Sequence, residues 1–187
     1  MPAASLGHAE QVDDAQPKAV RVMAGILLMV AFVSISLGLL LLYAGRWGVP
    51  FFSFTTDRGS TCTNNVTGYT CDQLTLADVE FYGEVDLPDD TVVVEGVYRS
   101  THDFALDAEL EVPSPSARAA LTKLNEAYGP CRENHPLPLQ NGLKALCVMA
   151  NDDAVTNADD VGSRLFTVGT GVRKDGVRLV TLSIRSR

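Results

Sequence analysis

A stretch of 23 residues, Val22 to Ala44, contains no Lys, Arg, Asp or Glu, and all four cysteines of the chain, Cys62, Cys71, Cys131 and Cys147, lie on its C-terminal side. At ~1.5 Å per residue a helix of this stretch reaches about 34 Å, against a bilayer hydrocarbon core of about 30 Å. Lys18, Arg21 and Arg46 bracket it, and Tyr43 and Trp47 stand where aromatic rings prefer the headgroup layer. A cleaved signal peptide is the rival reading. Its apolar core is ordinarily about 7–15 residues, however, and no small-x-small cleavage site follows at Tyr43-Ala44-Gly45. Residues 22–45 are therefore expected to form a transmembrane anchor. The tail before it, residues 1–21, has no apolar period and is expected to stay solvated.

The flanking charges do not orient the span, since Lys18 and Arg21 on one side face Arg46 and Arg58 on the other. The cysteines do more, because thiols are held reduced in the cytosol and an even number confined to one flank suits a disulfide framework outside it. The reading is an N-terminus in the cytoplasm and a C-terminal domain outside the cell membrane. Four cysteines allow three pairings. Cys62 with Cys71 and Cys131 with Cys147 is the preferred one, because each pair closes a short loop with turn-forming residues inside. Zinc binding lacks its closely spaced ligand pairs, as no C-x2-C or H-x3-H occurs.

From Arg46 onward the chain has enough residues for one compact domain and no room for a second. This part carries 20 acidic and 13 basic residues, a net charge of −7. Such a balance argues against nucleic acid, whose binding requires Lys and Arg to neutralise phosphates, and against anionic polymer or lipid surfaces. Residues 46–75 are expected to be a juxtamembrane segment, rich in Thr, Ser, Asn and Gly over Phe51 to Thr70 and irregular apart from its disulfide. Within it Asn65-Val66-Thr67 matches a glycosylation sequon, a triplet that also arises by chance.

Residues 76–187 are expected to form an α+β domain. Val79, Phe81, Gly83 and Val85 alternate with Asp78, Glu80, Tyr82, Glu84 and Asp86 on the solvent side and read as a half-buried strand, followed by a Leu87-Pro88-Asp89-Asp90 turn and a strand over Thr91 to Arg99. A third strand places Phe104, Leu106, Ala108, Leu110 and Val112 inward. Ser114 and Pro115 are expected to open a helix whose Ala117, Ala120, Leu121, Leu124 and Tyr128 share one face, ended by Gly129 and Pro130. Leu143 to Ala150 is the next strand. Arg164 to Val172 and Val177 to Arg185 then form a hairpin. The expected order is βββαβββ: one transmembrane helix, then a small antiparallel sheet with one packed helix and two disulfides.

Chemistry is sparse. Gly169-Thr170-Gly171 has glycines but neither the spacing nor the following helix of a phosphate loop, so it reads as a strand with a bulge or a close backbone contact. Asp152, Asp153, Asp159 and Asp160 bracket a loop whose carboxylates are weak calcium candidates, without EF-hand spacing. Ser100, His102 and Asp103 are residue types of a hydrolytic triad, but near neighbours on an extended chain do not converge as a triad must. His135 reads as a loop residue. In the anchor, Ser34 and Gly38 have the small-xxx-small spacing that allows close approach of transmembrane helices. No catalytic residue, metal or cofactor is expected.

Arg46-Trp47-Gly48-Val49-Pro50-Phe51-Phe52-Ser53-Phe54, Leu74-Thr75-Leu76-Ala77-Asp78-Val79-Glu80-Phe81, Tyr98-Arg99-Ser100-Thr101-His102-Asp103 and Phe166-Thr167-Val168-Gly169-Thr170-Gly171 together resemble uncharacterised single-pass membrane proteins of actinobacteria. The resemblance implies a Gram-positive cell envelope and no particular activity. The expectation is thus an anchored, noncatalytic module outside the cytoplasm that binds a protein partner or ligand. An envelope-acting enzyme and a calcium-stabilised adhesion domain are the alternatives.

Overall fold

The computed structural model describes residues 18–132, 142–151 and 164–186. The chain divides into two units, one containing a single helix and the other beginning at Ala44. The helix, α1, spans Lys18–Tyr43. Its Val20–Tyr43 portion is 24 residues long, apolar and unburied, so by length and composition it is able to cross a membrane. Ser34 and Gly38 lie one turn apart on it, and a Cβ added at Gly38 would meet nothing.

The second unit is an antiparallel sheet of eight strands, β1 (Ser53–Thr55), β2 (Thr61–Asn64), β3 (Tyr69–Gln73), β4 (Val92–Ser100), β5 (Phe104–Val112), β6 (Lys144–Ala150), β7 (Arg164–Val172) and β8 (Arg178–Ser186). Their spatial order is β1-β2-β3-β4-β5-β8-β7-β6. Two helices cover one face, α2 (Leu76–Gly83) and α3 (Ala117–Tyr128). The α+β class, the packed helix α3 and both disulfides, Cys62–Cys71 and Cys131–Cys147, agree with the sequence reading.

Strict alternation produces the centre of the sheet. Leu106, Ala108, Leu110 and Val112 of β5 point to the helices and pair in register with Ile184, Leu182, Val180 and Arg178 of β8. They join Val79 from α2, Ala120 and Leu124 from α3, and Met149 and Val168 from β6 and β7 in one core. Fully burying a side chain such as Leu124 contributes about 1.5–3 kcal/mol. The β7–β8 hairpin forms as expected, with Phe166 opposite Ile184 and Val168 opposite Leu182. Its turn is closed by Gly176 at φ +87°, and the Asp175 carboxylate accepts from the Val177 N–H at 3.1 Å.

Three expectations are corrected. The segment read as a strand over 79–86 is the helix α2, so β4 pairs with β3 and β5 instead. Thr75 is its N-cap, with a side-chain oxygen accepting from the Asp78 N–H at 3.3 Å. Asp78, taken from the alternation as solvent-facing, is fully buried, and its Oδ2 accepts from Thr56 Oγ1 at 2.6 Å and the Ser60 N–H at 3.3 Å. Buried Asp78, Val79 and Gly83 with half-buried Tyr82 follow the helical period, not the period of two.

The segment expected to be irregular holds β1, β2 and β3, extending the sheet. Cys62 and Cys71 are cross-strand partners within it. Finally, α3 begins two residues later than expected. Ser116 is the N-cap, and its Oγ donates to Asp90 Oδ2 at 2.7 Å instead of capping, while Ser114 and Pro115 form the preceding turn. Gly129 ends α3 as expected, at φ +87°.

Candidate functional site

Three chain segments remote in sequence meet where α2 ends, α3 ends and β7 begins. Glu84 terminates α2 in the left-handed conformation, φ +55° and ψ +41°, its N–H returning to the Glu80 carbonyl. This reversal leaves the Tyr82 and Gly83 carbonyls facing other elements. Tyr128, in the last turn of α3, donates its hydroxyl hydrogen to the Gly83 carbonyl at 2.7 Å. A Cβ at residue 83 would stand 3.2 Å from that hydroxyl oxygen, a tight contact that glycine avoids.

Arg164, the first residue of β7, donates from Nη2 to the Tyr82 carbonyl at 2.7 Å and pairs through Nη1 with the Glu84 carboxylate. Its guanidinium also stands 5.7 Å from the centre of the Phe104 ring. Asn151 fixes the strand beneath, donating to the Arg164 carbonyl at 2.8 Å and accepting from the Phe166 N–H at 2.7 Å. Together with Phe166 these groups line a cleft of about 270 Å³. Burial holds the Tyr128 hydroxyl above the usual tyrosine range; nearby Arg164 opposes the rise and Glu84 adds to it. The cleft therefore offers a cation engaged by an exposed carboxylate, a protonated hydroxyl and an aromatic wall.

Comparison of the chain with protein-family models, with curated proteins and with solved structures finds no match.

A second depression, about 310 Å³, lies on the sheet face opposite the helices. Glu95 stands directly across from Glu109, and Asp107 accepts from Ser183 Oγ at 2.8 Å. Like charges opposed across a ladder are destabilising. No group of three or more metal-ligating side chains gathers anywhere among the described residues.

The residues singled out in the sequence fall elsewhere. Ser100 ends β4, whereas His102 and Asp103 sit exposed on the β4–β5 turn, where Thr101 Oγ1 donates to the Asp103 carbonyl at 2.9 Å. None of these lines either cleft. Gly169, Thr170 and Gly171 are β7 residues that pair with β8 without a break, whereas the ladder to β6 shifts register between Lys144 and Cys147, opposite Gly171. The close contact expected there is present at Gly171, where a Cβ would lie 2.9 Å from the Leu146 side chain. Thr170 Oγ1 is held by the Leu179 carbonyl at 2.8 Å and by the buried Arg178 at 3.2 Å. The calcium candidates Asp152, Asp153, Asp159 and Asp160, and also His135, lie outside the described residues.

Sequence reasoning missed Arg164, Glu84 and Asn151. The Arg164–Tyr82 bond joins residues 82 positions apart, and no local pattern encodes such a meeting. One usable signal was Thr75-x-x-Asp78, the helix-start signature that would have opened α2 at Leu76.

Proposed function

We propose that this chain is a noncatalytic binding module held at the outer face of a cell membrane by α1, and that it engages a protein partner or ligand through the cleft around Arg164. Both disulfides belong to the one unit that follows α1, and that observation carries the compartment. Structural disulfides persist outside the reducing cytosol, and bridges closing loops of 9 and 16 residues stabilise a domain by about 3 kcal/mol each. The cleft supports binding more than catalysis, because its tyrosine is kept protonated and donates to a carbonyl, while its cation is engaged by a carboxylate. The resemblance to actinobacterial single-pass proteins favours a Gram-positive envelope as the setting.

Two measurements on the full chain in cells test the proposal. A membrane-impermeant maleimide applied to intact cells should label the domain only after an added reductant has opened the bridges. Labelling only after lysis would overturn the compartment, and labelling without reductant would overturn the bridges from which it is argued. A photo-crosslinking residue in place of Glu84 should then give a discrete adduct that the same residue in place of Lys174, on the exposed β7–β8 turn, does not. Identical background at both positions would overturn the cleft as the binding place.

A further inference from the structure

The residues directly after α1 are part of the domain and not a loose tether. Ala44 is buried, its carbonyl accepts from the Val49 N–H at 3.0 Å, and the Gly45 carbonyl accepts from the Gly48 N–H at 3.1 Å. The Asn64 side-chain amide donates to that same Gly45 carbonyl at 2.6 Å, and a Cβ at residue 45 would collide with the Ser53 carbonyl at 1.9 Å. Phe51 and Phe52 continue the contact, the Phe51 N–H donating to the Asn64 carbonyl at 2.8 Å and the Phe52 carbonyl accepting from the Asn64 N–H at 3.0 Å. Since Cys62–Cys71 ties β2 to β3, the start of the domain and the β2–β3 hairpin form one stiff edge.

Large apolar side chains stand out from this edge. Trp47 is 65 % exposed, Phe51 81 % and Val66, at the hairpin tip two residues beyond Asn64, 79 %. Phe51 holds φ +69°, a region that bulky residues rarely adopt, and presents its ring to the outside in that strained conformation. Three large apolar side chains exposed along one edge point to an apolar environment beyond the domain surface.

Chain continuity says which one. Trp47 follows the last residue of α1, Tyr43, by four positions, at most about 14 Å of extended chain. The polar layer on each side of a bilayer is about 6 Å thick, and tryptophan favours it. We propose that Trp47, Phe51 and Val66 form a foot that seats the domain on the interfacial layer of the same bilayer α1 crosses. The inference rests on the reading of α1 as an uncleaved anchor. Two points of attachment, the chain exit and the hairpin tip, set the tilt of the sheet on the membrane, where a tether alone would let it swing. The foot's apolar side chains, beside an Arg46–Asp57 pair at 3.5 Å, need no anionic lipid.

Trp47 is the only tryptophan in the chain, which makes fluorescence a clean test. The full chain is reconstituted into phosphatidylcholine vesicles with and without brominated acyl chains, as the native protein and as V66W, F51W and K174W variants in a W47F background. Native Trp47 and the tryptophans at 51 and 66 should emit at shorter wavelength than a water-exposed indole and lose at least half their intensity to brominated lipid. The tryptophan at 174 should be quenched only by aqueous iodide. Position 66 quenched by iodide and untouched by brominated lipid would overturn the foot, and position 66 shielded from both would overturn it in favour of a second copy of the chain covering this edge. Vesicle flotation separates the two levels: a chain that does not float overturns the anchor and the foot together, whereas a floating chain with unquenched position 66 overturns the foot alone.

Discussion

The Tyr82 ring lies flat on the Tyr98 ring, with 3.7 Å between centroids and 9° between planes. Tyr82 belongs to α2 and Tyr98 to β4, so this stack fastens the short helix to the sheet. Tyr69 of β3 joins at 5.9 Å from Tyr98, and Phe54 of β1 adds an edge-on contact with Tyr69 at 5.4 Å. The aromatic row thus connects the Cys62–Cys71 hairpin, α2 and the sheet centre.

Replacing Tyr98 by alanine should destabilise the fold by about 3–5 kcal/mol, as large aromatic truncations in cores do. Tyr82→Leu keeps most of the buried area and loses the stack, and should cost about 1 kcal/mol. Denaturant unfolding of the full chain in mild detergent, followed by near-ultraviolet circular dichroism of the tyrosines, measures both. Equal costs for the two variants would contradict the arrangement.

Asp78 should be the most sensitive polar residue of α2. Alanine there leaves the Thr56 hydroxyl without its acceptor and the Ser60 N–H with Thr56 Oγ1 alone, at about 3 kcal/mol, whereas Thr75→Ala removes a cap worth about 1 kcal/mol. Hydrogen exchange over residues 76–83 is the readout, and Asp78→Ala should lose more protection than Thr75→Ala.

At the cleft the two partners of one ion pair should respond unequally. The Glu84 side chain is 74 % exposed and the Arg164 side chain 21 %. Glu84→Gln should therefore change stability by less than about 1 kcal/mol, in the range of surface pairs. Arg164→Met also strips the Tyr82 carbonyl of its donor and should cost about 2 kcal/mol. Thermal unfolding of the two single variants and the double variant yields the asymmetry.

Alkaline pH should weaken the fold. Tyr128, Tyr82 and Tyr98 all have hydroxyls raised above the ordinary tyrosine value, in each case chiefly by burial. The folded chain keeps these protons after the unfolded chain has released its own, so the unfolded state binds fewer and stability falls as pH climbs. The contribution is complete below about pH 10, the unfolded value, and drains away above it. Unfolding midpoints measured from about pH 8 to 11 should decline over the upper part of that range, and Tyr128→Phe should flatten the decline.

The sequence announced the centre of the domain and concealed its edges. Phe104 to Val112 and Arg178 to Arg185 alternate because one face is packed on the helices and the other is not, and α3 combines an apolar face with a glycine stop. Helix α2 was obscured because Asp78 is buried by hydrogen bonding while Phe81 is 54 % exposed, with the Arg58 guanidinium 3.6 Å from its ring centre. Polarity therefore misreported which side faced inward. Strands β1 to β3 are short and rich in Thr, and only Phe54, Tyr69 and the two bridged cysteines turn toward the core, too few to show a period in the sequence. The cleft was invisible for a different reason, since each of its groups is ordinary until residues 82–84, 128 and 164 are brought together.

The position of β8 between β5 and β7 bears on the order of assembly. During synthesis β1 to β5 complete their ladders with near neighbours in the chain, and the Cys62–Cys71 bridge is able to close early. The β5 edge then stays open until residues 178–186 arrive, because among the described residues the ladder that joins the two halves of the sheet runs through β8. Nascent chains halted before Arg178 would hold two half-sheets and an unsealed core, so residues 178–186 are the segment that locks the domain.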